Sequence, residues 1–139
     1  MCRGIGIVSV VASFLFCLTT ASQAQGIAFS EAVEQSSGVC FGDNPVDAMQ
    51  CARDKCAAGG AEARDCLRVK WCYPAGWSAD IFLQHQEGPH WHEYLCGWDS
   101  RESVLRAAEV ACDRSLRSYL IECSAVRLWS PEGVESEPR

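Results

Sequence analysis

The chain has 139 residues, 48% of them hydrophobic and 22% charged, with a net charge of −6 and ten cysteines. That length suits one small domain. The acidic balance repels phosphate backbones and anionic headgroups, so nucleic acid and membrane surfaces are excluded as natural partners.

Residues 1–24 read as an export signal. Arg3 supplies positive charge, residues 5–18 form a mostly apolar core, and Ser22-Gln23-Ala24 offers small residues to a signal peptidase. An apolar run of 14 residues falls short of the ~20 needed to span a bilayer as a helix. No stable membrane insertion is therefore expected after cleavage. Removing the signal takes Cys2 and Cys17 with it and leaves eight cysteines, an even number that predicts four disulfides in an oxidising compartment.

In the remaining chain, residues 26–30 predict a short strand, 34–38 a polar turn and 38–41 its returning strand. Asn44 caps a helix with Pro45 at its first position and Asp47 in its first turn. Val46, Ala48, Met49, Ala52 and Cys56 share one broad face, and Gly59-Gly60 stops the helix. Residues 66–73 alternate as a strand, with Leu67, Val69, Trp71 and Tyr73 on one side. Tyr73-Pro74-Ala75-Gly76 then turns the chain.

The second half repeats this plan. Residues 77–84 and 91–96 predict a hairpin turning at Glu87-Gly88-Pro89. Asp99 and Glu102 suggest an acidic, capping-box-like helix start, and Val104, Leu105, Ala108, Ala111 and Cys112 form a helical stripe. Residues 119–128 contain the last strand, and 131–139 read as a disordered, solvated tail.

Cys40, Cys56 and Cys66 are answered by Cys96, Cys112 and Cys123 at offsets of 56 or 57 residues. The expected fold is α+β: two pseudo-symmetric strand-strand-helix-strand repeats, 26–73 and 77–129, within one disulfide-rich domain spanning 25–130. Each crossover helix makes its flanking strands parallel. The units share one sheet or pack sheet on sheet. Short spacing from helix end to strand start predicts Cys56–Cys66 and Cys112–Cys123. For Cys40, Cys51, Cys72 and Cys96 three pairings stay open. The lack of repeat counterparts for Cys51 and Cys72 suggests that those two pair, leaving Cys40–Cys96; Cys40–Cys72 with Cys51–Cys96 is equally compatible.

The strand pair leading into Ser100-Arg101-Glu102 through Ala111-Cys112, then a Cys-led strand, resembles the bacterial domain-of-unknown-function 4189 family. The likeness covers about residues 26–129 and also rests on residues 26–30, 48–56, Cys66 and Gly97-Trp98. It implies an exported bacterial protein and supplies no activity, cofactor or catalytic residue. Cys51, the tryptophan content and the loop from His85 to His92 depart from the pattern.

No serine lies in a glycine-flanked turn, no Cys-x-x-Cys occurs, and no glycine loop for phosphate is present. Paired acids such as Asp43 with Asp47 have a sufficient role as helix caps. A non-catalytic, periplasmic or secreted binding or interaction module of the bacterial envelope is thus expected, recognising a protein or cell-envelope component without a cofactor. Trp91, His90, His92 and Trp98 are its candidate contacts, because aromatics with a polar handle favour partner surfaces. The alternative is a metal-binding protein using His85, His90 and His92, since three imidazoles suit zinc or copper. His92-Glu93 starts like a His-Glu-x-x-His motif, but Cys96 stands at its fifth position. A small hydrolase, the third class, requires a buried carboxylate–histidine pair in a cleft.

Overall fold

The structure, a computed structural model, describes residues 25–139. The expected signal segment lies outside them. Among the described residues no helix is long and apolar enough to cross a membrane.

Seven strands and two helices follow in the order β1 (Gly26–Ala32), β2 (Ser36–Gly42), α1 (Pro45–Ala58), β3 (Leu67–Cys72), β4 (Trp77–His85), β5 (His90–Trp98), α2 (Arg101–Ala111), β6 (Leu120–Trp129) and β7 (Glu135–Ser136). They build two antiparallel sheets, ordered β2-β1-β3 and β5-β4-β6-β7. The class is α+β, and both halves share one wiring: a hairpin, a helix, then a strand on the far side of the first. That identity of wiring is consistent with a pseudo-symmetric repeat. The strands flanking each helix run in the same direction, as the crossover argument requires. They are not neighbours, because β1 or β4 lies between them, antiparallel to both.

Period-two alternation explains the layering. All seven residues of β1 are buried. Ile27 and Phe29 face the second sheet, where they meet Tyr94, Ala75 and Trp129, while Ala28 packs towards α1 with Cys40, Ala48, Met49 and Ala52. On β4, Ile81 and Leu83 face α2 with Ala108 and Leu120. The layers are therefore helix, sheet, sheet, helix. The inter-sheet core is aromatic, with Phe29 and Tyr94 stacked at 4.5 Å and Trp129 edge-on to Phe29 at 5.7 Å.

Helix α1 starts where the sequence places it: Asn44 Oδ1 accepts the Val46 and Asp47 N–H groups at 2.9 and 3.4 Å. Apart from Met49, its buried face is of small residues (Ala48, Ala52, Cys56), which lets it lie against the sheet at very short range. Gly38 makes that approach possible. A Cβ there would sit 1.9 Å from the Ala52 carbonyl oxygen and 2.7 Å from the Cys56 nitrogen. Gly38→Ala is expected to lower stability by about 1–3 kcal/mol, the usual cost of overpacking. A urea midpoint equal to that of the parent protein would show that the helix can retreat freely.

All eight described cysteines are paired. Cys56–Cys66 and Cys112–Cys123 tie helix end to strand start in both halves, as the spacing predicts. The other two bridges correct the favoured Cys51–Cys72 pairing and its rival alike. Cys40 on β2 lies directly beneath α1 and bonds Cys51, with Cα atoms 5.9 Å apart; Cys72 at the end of β3 bonds Cys96 on β5, at 6.0 Å. Repeat equivalence misled here, because it ignored that Cys51 faces its own hairpin. Four disulfides fit an oxidising compartment.

Smaller differences have local causes. Val46 is 70% exposed, since helical periodicity places it to one side of the buried arc of Ala48, Met49, Ala52 and Cys56. Helix α2 is capped by Ser100 rather than Asp99: the Ser100 hydroxyl accepts the Ser103 N–H and the Ser103 hydroxyl accepts the Ser100 N–H, each at 3.1 Å. Leu67 and Val69 stay exposed, because α1 lies mainly across β2 and β1 and leaves most of β3 uncovered. The expected disordered tail instead turns back at Gly133 and adds β7 to β6, with Trp129 Nε1 donating to Glu135 at 3.1 Å.

Candidate functional site

At one end of the inter-sheet space the aromatic core gives way to charge. Asp80 sits mid-strand on β4 with its side chain turned towards the other sheet, fully buried. Its neighbours across the ladder bring the partners: Arg127 stands opposite it on β6, and His92 lies one diagonal away on β5, opposite Phe82. Asp80 Oδ1 meets His92 Nδ1 at 2.5 Å, and Oδ2 accepts from Arg127 Nε and Nη2 at 3.0 and 2.6 Å. One buried carboxylate thus holds two cationic side chains, the guanidinium through a two-pronged contact.

The first sheet closes over this trio. Arg127 Nη2 also donates to the Ser37 hydroxyl on β2 at 3.2 Å. Strand β5 is an edge strand, and two of its outward N–H groups are taken by carboxylates from the β1–β2 hairpin: His92 N donates to Glu31 Oε1 at 3.0 Å, and His90 N donates to Glu34 Oε1 at 3.1 Å. Side-chain acceptors replace a neighbouring strand there. Glu34 has a positive φ of 62°, a conformation uncommon outside glycine, so the tight turn that delivers its carboxylate carries backbone strain.

Between hairpin and strand lies a cavity of about 120 Å³ lined by Glu31, Glu34, Ser36, Ser37, His90 and His92, with Ala32 and Gln35 at its wall. Larger hollows beside Trp98 and along α2 are surface grooves without buried charge.

The surroundings set the protonation of each group. The Asp80 hydrogen bond raises the His92 imidazole above its ordinary value against the opposing effect of burial. Burial raises the Glu31 carboxyl, although the His92 N–H bond works the other way. Burial, with the Asp80 and Glu31 charges, holds the Tyr94 hydroxyl protonated far above its usual range. That hydroxyl is buried with no hydrogen-bond partner; Ser37 lies close enough to influence it without meeting hydrogen-bond geometry.

Of the sequence-predicted contacts, His90 and His92 share a face of β5 and both line the cavity. Trp91 does not join them. Alternation turns it to the opposite face, against the Ile81–Leu83 core under α2. Trp98 lies at the far end of β5, 37% exposed. The three-histidine metal site is not assembled either. His85 falls beyond a register shift on β4, stacks on Tyr119 at 5.2 Å and accepts the Glu87 N–H at 3.1 Å, apart from the other two. Among the described residues no group of three or more His, Cys, Asp or Glu side chains is arranged to hold a metal ion.

Glu31, Glu34, Ser37, Asp80, Tyr94 and Arg127 were missed as site residues. For Asp80 a signal existed: an acid inside the apolar run Ala79-Asp80-Ile81-Phe82-Leu83 of a central strand has no bland place to go. The buried carboxylate–histidine pair required by the hydrolase class is present in Asp80–His92. Comparison with models of known protein families, with curated proteins and with solved structures finds no match to this chain.

Proposed function

We propose that this chain is an exported, non-catalytic binding module of the bacterial cell envelope, and that the inter-sheet cavity at Glu31, Ser37, His90 and His92 is where it takes hold of its partner. The observation that carries the reading is a concave site whose polar groups are positioned by two sheets and four disulfides, with hydrogen-bonding capacity left over. His92 Nε2 and the Oε2 atoms of Glu31 and Glu34 make no hydrogen bond to the described residues. The partner is a protein or cell-wall component presenting a small polar group to that cavity.

A second reading has one observation in its favour. Asp80 orients His92 as an orienting acid holds a general base. No hydroxyl or thiol is hydrogen-bonded to the imidazole Nε2, Ser37 is engaged by Arg127, and every described cysteine is in a bridge. These contacts favour recognition over nucleophilic chemistry.

Co-sedimentation of the purified mature chain with isolated cell-wall material, and its retention on immobilised soluble envelope proteins, tests the proposal. Gln35→Trp, an exposed turn position at the cavity wall, is expected to reduce whichever binding is observed about tenfold, while Trp98→Ala leaves it intact. The opposite pattern would move the contact surface to the far end of β5 and sink the cavity.

A further inference from the structure

Acids outnumber their partners at the cavity. Asp80 is fully engaged by the Arg127 guanidinium and the His92 imidazole, whose hydrogen bond to Asp80 favours its protonated form. The acids in excess of that trio are Glu31 and Glu34, the two that line the open space, each with one carboxyl oxygen free of a hydrogen bond to the described residues. His90 approaches Glu34 with Nδ1 3.7 Å from Oε1, the atom that already accepts the His90 N–H.

Glu31 gives this excess its meaning. It is only 5% exposed, one oxygen accepts the His92 N–H, and the other has no partner while its side chain lines the cavity. Its free oxygen is not a buried orphan but opens onto the cavity, an acceptor held in place for a donor that enters. Beside it, the Ser37 hydroxyl, which accepts from Arg127, keeps further acceptor capacity, whereas the Ser36 hydroxyl donates to the Cys56 carbonyl oxygen on the α1 side. Metal coordination is not what the geometry offers, since no three ligating groups converge.

Resting on the cavity reading above, we propose that the ligand group entering this site is a primary ammonium, held between Glu31 and Glu34. An ammonium presents three donors and no acceptor. It would find two free carboxyl oxygens and the nearby Ser37 hydroxyl, and its positive charge complements the two acids. A cavity of about 120 Å³ admits such a head with a short aliphatic stem and excludes a bulky one. Lysine-like side chains and free amines of cell-wall peptides both carry this chemistry.

The test is a nuclear magnetic resonance titration of the mature, disulfide-intact protein with n-butylammonium, and with n-butanol and butyrate as uncharged and oppositely charged controls of similar shape. The expected result is saturable shifts of the Ser37 and His92 amides with n-butylammonium alone. Affinity should be about tenfold weaker in Glu31→Gln, whose amide oxygen can still accept the His92 N–H. Glu34→Gln, at an exposed position, should weaken it without altering the fold. Saturable binding of n-butanol or butyrate at the same amides, with affinity equal to or above that of n-butylammonium, would leave the cavity as the binding site and overturn the ammonium. An undiminished n-butylammonium response in both well-folded variants would also overturn it. Silence at these amides with all three probes would remove ammonium and cavity reading together.

Discussion

Asp80→Ala is expected to lower the unfolding free energy by about 3–5 kcal/mol, the range seen when one member of a buried ion pair is deleted. The loss comes less from the missing attraction than from what stays behind. Arg127 would keep its charge in a partly dry site with its acceptor gone, and His92 would lose the partner that favours its protonated form. Both side chains retain some solvent contact, 35% and 26% exposed, which places the effect towards the lower end. For a small domain stable by roughly 5–15 kcal/mol this is a large fraction. Urea unfolding measures it, and a change below about 1 kcal/mol would mean that water already satisfies the trio.

The same experiment repeated across pH carries a sign. The raised His92 imidazole contributes its full stabilisation below the ordinary imidazole value of ~6.5, and the contribution fades as pH climbs through the folded-state value. Glu31, raised by burial, acts in the same direction, because ionising it in the folded protein costs more than ionising it in the unfolded chain. The parent protein should therefore lose stability on the alkaline side of these transitions. In Asp80→Ala the histidine part of that loss should vanish.

Replacing Cys72 and Cys96 together by alanine is expected to cost on the order of 3.5 kcal/mol, the chain-entropy value for a loop of this length. Its sequence separation of 24 is the longest of the four, and it joins β3 of one sheet to β5 of the other. The remaining three bridges each close a loop of 10 or 11 residues within one half, worth about 3 kcal/mol apiece in the same account. Cys72–Cys96 is thus the covalent fastener between the halves. Without it, their association rests on the aromatic core, the Glu31, Glu34 and Arg127 contacts and the Lys70 Nζ bond to the Tyr94 carbonyl oxygen. Chemical denaturation reads the effect, with mass spectrometry confirming the other three bridges. An unchanged midpoint would show that the sheets need no tether.

Local signals in the sequence proved dependable. Asn44-Pro45 begins a helix because cap chemistry is decided within three residues, and alternation places His90 and His92 together because strand geometry leaves no other choice. The pairings Cys56–Cys66 and Cys112–Cys123 follow from short spans of chain. What escaped was everything set by the meeting of the two sheets. Glu31 and Asp80 stand 49 positions apart and Ser37 and Arg127 stand 90 apart, and neither juxtaposition leaves a periodic trace. Trp91 was separated from His90 and His92 by strand alternation, which turns it, half-buried, towards the core on the α2 side. At the tail, the pairing of 135–136 with β6 after Gly133 is a contact that acidic composition does not announce.

Asp80, Arg127 and His92 all come from the second half, whereas the groups that cover them, Glu31 and Ser37, come from the first. Greasy sheet faces alone would tolerate several alignments, sliding a residue along or rotating a few degrees at little cost. A charged trio roofed by particular acceptors favours one, since a slip separates Arg127 from Ser37 and the His92 N–H from Glu31. The constellation thereby acts as a key between two otherwise similar plates, admitting the native mating and penalising its near misses.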